Sequence, residues 1–61
     1  MGGLTKMHTI KYKKCLAQQD NKTMNVYVSK QDCPTICYEC SEKLSDKELR
    51  TFVNRYIEEV M

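Results

Sequence analysis

The sequence predicts a small α+β zinc-stabilised fold, a β-hairpin with a zinc knuckle followed by a C-terminal amphipathic helix. Three observations predict it. Apolar residues alternate in two short runs, near residues 10–12 and 24–28. Four cysteines occur in 61 residues, Cys15 and the close set Cys33, Cys37 and Cys40. Beyond Ser45, apolar residues recur at helical spacing. So short a chain holds one domain, and the entropy lost on ordering it about matches what its core can bury. A metal staple or a second copy, as in a homodimer, is therefore expected.

Residues 1–8 read as a flexible leader and 9–61 as a single zinc-binding domain. Thr9 to Lys14 alternates, with Ile10 and Tyr12 on one side and Lys11 and Lys13 on the other, the pattern of a half-buried strand. Residues 16–23 are polar, and Asp20-Asn21 is a good turn pair. Met24, Val26 and Val28 alternate with Asn25, Tyr27 and Ser29, which predicts the second strand. Pro34 is expected to stop any ladder, because it has no N–H to donate.

The helix has the clearest signature. Ser45 followed by Glu48 is a capping box, and Leu44 with Leu49 is placed for a hydrophobic staple. Leu49, Phe52, Val53, Tyr56, Ile57 and Val60 then form one apolar stripe. A two-stranded hairpin offers little apolar surface to cover six such residues. Leu49, Phe52, Val53, Tyr56 and Ile57 are therefore expected to serve either as core or as a docking face for a protein partner or a second copy.

Zinc takes four ligands in a tetrahedron and favours thiolate sulfur. Cys37-Tyr38-Glu39-Cys40 is a Cys-x-x-Cys pair, and Ser41-Glu42-Lys43-Leu44 after it reads as the first turn of a helix, whose N–H groups would favour thiolates. Cys15 supplies a third ligand. A knuckle would carry a further cysteine at position 18, where Gln18 stands. Cys33 is the preferred fourth ligand and His8 the substitute. The alternatives are two disulfides in an exported peptide, a redox Cys-x-x-Cys, and thiols without a ligand. Four sulfurs close the coordination sphere, so the expected zinc is structural.

Charge is divided along the chain. Residues 1–31 carry six lysines against Asp20, a net +5, and residues 32–61 carry four cations against seven acids, a net −3. Lys11, Lys13, Lys14 and Lys22 offer phosphate contacts for nucleic acid, or protect an exposed sheet edge. No apolar run reaches membrane-spanning length, and no secretory h-region opens the chain. The start resembles a myristoylation signal, but Lys6 stands where Ser or Thr is required. A cytoplasmic, reducing location is the expectation. One histidine and no Gly-rich phosphate loop leave no catalytic constellation, so no enzyme is expected.

Cys15, the Asn25-Val26-Tyr27-Val28 strand and Ile36-Cys37-Tyr38-Glu39-Cys40 with Glu42-Lys43 follow in an order that resembles the treble-clef and zinc-ribbon group of small zinc folds. Within that group the chain resembles the Gin family of small anti-sigma factors, over about residues 15–44. The resemblance implies a transcription regulator that binds a sigma factor, or another RNA polymerase component, through an apolar helical surface. The other reading is a zinc-dependent nucleic-acid binder that uses the basic N-terminal half.

Overall fold

The computed structural model describes residues 8–61; the leader expected at 1–8 lies outside the described residues except for His8, which belongs to the first strand. Four strands follow one another, β1 (His8–Tyr12), β2 (Cys15–Gln19), β3 (Val26–Lys30) and β4 (Cys33–Tyr38), and a single helix, α1 (Asp46–Val60), closes the chain. The strands pair antiparallel in the order β1-β2-β3-β4. The fold is thus α+β, with a four-stranded meander in place of a two-stranded hairpin.

Two tight turns make the difference. Lys13 and Lys14 join β1 to β2 with φ of 52° and 64°. Two consecutive positive values are the pattern of a type I′ hairpin turn, where Asn-Gly is the usual sequence. A lysine in left-handed backbone costs roughly 1–2 kcal/mol, so no local signal announces this turn. Gln31 and Asp32 join β3 to β4, with Asp32 at φ 65°. Pro34 does not end the sheet: it lies in β4, at the edge, beside a register irregularity opposite Val28–Lys30. An edge strand with a bulge is where a missing N–H is tolerated.

The register aligns three rows on the helix side: His8, Gln19, Val26 and Tyr38; Ile10, Ala17, Val28 and Ile36; Tyr12, Cys15, Lys30 and Cys33. Cys15, Ala17, Val26, Val28, Leu49, Val53 and Tyr56 form the buried core, with Ile10, Ile36, Leu44, Phe52 and Val60 packed against it. Each fully buried Leu, Val or aromatic side chain contributes about 1.5–3 kcal/mol. The fold therefore closes on its own apolar surface.

The helix begins as its sequence predicts. The Ser45 side chain accepts from the Glu48 N–H, and the Glu48 carboxylate accepts from the Ser45 N–H at 2.9 Å. Residues 41–44, expected to be a helical turn, are an irregular segment that leads to this cap. Gln19 holds that segment in place. Its side chain is 1% exposed and donates to the carbonyls of Met24 (2.9 Å) and Glu42 (2.7 Å), while its oxygen accepts from the Leu44 N–H (2.8 Å). One buried amide so ties the β2–β3 loop and the helix approach to a central strand.

Candidate nucleic-acid interface

The strands divide the cysteines. Cys15 and Cys33 lie in one row with Lys30 between them. Two strand spacings put their Cα atoms about 9.6 Å apart, beyond the reach of a disulfide. Tyr56 lies near both thiols, and its hydroxyl donates to the Pro34 carbonyl. Cys37 pairs with Tyr27 on the opposite, solvent-facing side of the sheet and is exposed. Cys40 lies beyond the end of β4, half-buried, where desolvation first, then Cys37 and Glu48, push its thiol pKa up.

All four cysteines are free thiols. Among the described residues, no group of three or more His, Cys, Asp or Glu side chains gathers in a way that could hold a metal ion. The expected ligands Cys15, Cys33, Cys37 and Cys40 therefore do not fit one tetrahedral zinc centre in this arrangement. The physical reason is strand alternation: Cys37 lies within β4 and projects from the face opposite to Cys15, where a knuckle would need it at a turn. The proposed substitute, His8, is engaged elsewhere, its Nε2 meeting the Asp46 carboxylate at the start of α1.

The expected partner surface is also accounted for. Leu49, Val53 and Tyr56 are wholly buried in the domain's own core, and Phe52 and Ile57 pack against it. Phe52 meets the Tyr38 ring at 5.3 Å. Four strands bury Leu49, Val53 and Tyr56 completely and leave Phe52, Ile57 and Val60 partly exposed beside them. The Tyr38 hydroxyl is buried without a hydrogen-bond partner among the described residues. Desolvation, with the Glu59 carboxylate nearby, raises its pKa above 10.0.

The lysines remain. Lys11 and Lys14 from the first hairpin, and Lys30, Gln31 and Asp32 from the third, line one open depression at the same end of the sheet. Lys13 turns away from it: its ammonium lies 5.3 Å from the Tyr12 ring centre and donates to Asn54 at 2.8 Å. Arg50 approaches the same Tyr12 ring at 6.0 Å. Lys22 lies on the Asp20–Asn25 loop, at the opposite end, its N–H bonded to the Asp20 carboxylate. The four lysines picked out by sequence thus reduce to Lys11 and Lys14 at this site, and Lys30 joins them. Only the meander reveals Lys30, because it brings the first and third turns together.

Comparison with protein-family models, with curated proteins and with solved structures found no match. The likeness to the Gin family rests on the sequence motifs alone. No helix among the described residues is long and apolar enough to cross a membrane.

Proposed function

We propose that this protein binds nucleic acid through its phosphates, using the lysine end of the sheet. The observation that carries the reading is the convergence of Lys11, Lys14 and Lys30, from two separate hairpins, on one open depression that contains a single acid, Asp32. Ammonium groups set around a concavity reinforce one another's potential and attract an anion.

The test is fluorescence anisotropy with a labelled oligonucleotide across a salt series. Three phosphate contacts give a slope of log K against log salt of about −2 for single strands and about −3 for duplex. Lys11→Gln, Lys14→Gln and Lys30→Gln together should flatten that slope and weaken binding at low salt. Equal binding by the triple variant, or binding insensitive to salt, would refute the assignment.

A further inference from the structure

The helix covers one side of the sheet, and among the described residues no element packs on the other. By the register, the solvent side presents Thr9 and Lys11 from β1, Leu16 and Gln18 from β2, Tyr27 and Ser29 from β3, and Cys37 from β4. Its composition is unusual for an open sheet face. No strand carries a carboxylate: every aspartate and glutamate of the chain lies in a loop or on α1. The face therefore has cationic and neutral polar groups around an aromatic ring, with no like charge to repel a phosphate backbone.

Tyr27 sits near the middle of this face, between Gln18 on β2 and Cys37 on β4. It is half-buried. Lys11 lies two strands away and one pleat repeat along, roughly 12 Å between Cα atoms from the usual strand spacings. A single strand that leaves the lysine depression can thus cross the sheet over Tyr27 within a few nucleotides. Base stacking on an aromatic ring tolerates every base, since each has a π face. Gln18 and Ser29 beside the ring offer donors and acceptors to base edges.

We infer that the uncovered sheet face is a platform for single-stranded nucleic acid, with Tyr27 stacking on a base while Lys11 and Lys14 hold the adjacent phosphates. The assignment rests on the phosphate-binding reading above and narrows it. A duplex fits the face poorly: its bases are already stacked, and the only helix of the described residues lies on the other side of the sheet. An acidic protein segment would satisfy the lysines but would leave Tyr27 without a specific role.

The experiment measures anisotropy of a labelled twelve-nucleotide oligothymidylate, with a duplex of the same length and inorganic polyphosphate as competitors. Tyr27→Ala should weaken oligothymidylate binding about 5- to 150-fold and leave competition by polyphosphate unchanged. Tyr27→Leu, which keeps a bulky strand residue without a π face, should behave like Tyr27→Ala, and Tyr27→Phe should behave like the parent chain. Lys11→Gln should weaken both ligands. Parent-like oligothymidylate binding by Tyr27→Ala and Tyr27→Leu, with the lysine variants still impaired, would overturn the platform and leave the phosphate reading intact. Equal loss for polyphosphate in the Tyr27 variants would overturn it as well. Binding of polyphosphate without preference for any nucleic acid would overturn both.

Discussion

Replacing Gln19 with methionine keeps the length of the side chain and removes three hydrogen bonds at once. The bonds run to the Met24 carbonyl, the Glu42 carbonyl and the Leu44 N–H, from a side chain 1% exposed. At about 1 kcal/mol net for each bond, the loss is about 3 kcal/mol. It would be larger if the orphaned backbone groups stayed dry, and smaller if the loop opened to admit water. A 61-residue domain has about 3–9 kcal/mol of stability in total, so this one change removes a third or more of it. In a domain this small, about 3 kcal/mol lowers Tm by about 12–24 °C. Urea unfolding followed by far-UV circular dichroism measures the effect. A loss under about 1 kcal/mol with an unchanged urea dependence would refute the claim that this amide ties the helix approach to the sheet.

The remaining predictions concern titration and thiols. Burial raises the pKa of Tyr38 and Tyr56 above 10.0 and that of Cys40 above 9.0. Each group holds its proton more tightly folded than unfolded, so its contribution is complete below about pH 8 and falls as pH rises through the folded values. Stability measured from pH 7 to 11 should therefore stay level and then decline; a rise above pH 10 would contradict the sign. Tyr38→Phe should change stability by less than about 1 kcal/mol at pH 7, because the hydroxyl it removes is buried without a hydrogen bond of standard geometry, beside the Glu59 carboxylate; a larger destabilisation would show that the hydroxyl donates to Glu59. Brief alkylation read by mass spectrometry should modify exposed Cys37 first and buried Cys15 last, since Cys15 is 1% exposed. Chelator treatment should leave the far-UV spectrum unchanged, because the thiols are dispersed over both faces; helix loss restored by zinc would show that they gather round a metal.

The helix and its cap were legible in the sequence because their causes are local. Ser45 and Glu48 satisfy each other's backbone N–H groups three residues apart, and the stripe from Leu49 to Val60 repeats at the helical period. The inward residues of two strands, Ile10 and Tyr12, then Val26 and Val28, were legible for the same reason. β2 was not. Its inward positions are Cys15, Ala17 and Gln19, a pattern that reads as polar until the three partners of Gln19 are known. Those partners lie 5, 23 and 25 residues away in sequence. The Lys13-Lys14 turn and the strand around Pro34 were hidden because each departs from the usual residue choice at its position.

The sequence by itself determined the helix, the charge division and the positions of the four thiols along the chain. Tertiary structure decided where those groups point. Strand alternation sent Cys37 to the face opposite Cys15, which disperses a set of thiols that spacing alone would gather. Four strands in place of two took Leu49, Val53 and Tyr56 of the helix stripe into the core and left Phe52, Ile57 and Val60 half-buried at its margin. The same meander brought Lys30 to Lys11 and Lys14 and left a sheet face free of carboxylates exposed around Tyr27. Local propensity fixes a residue's backbone, whereas its neighbours across a sheet are set by pairings between distant parts of the chain.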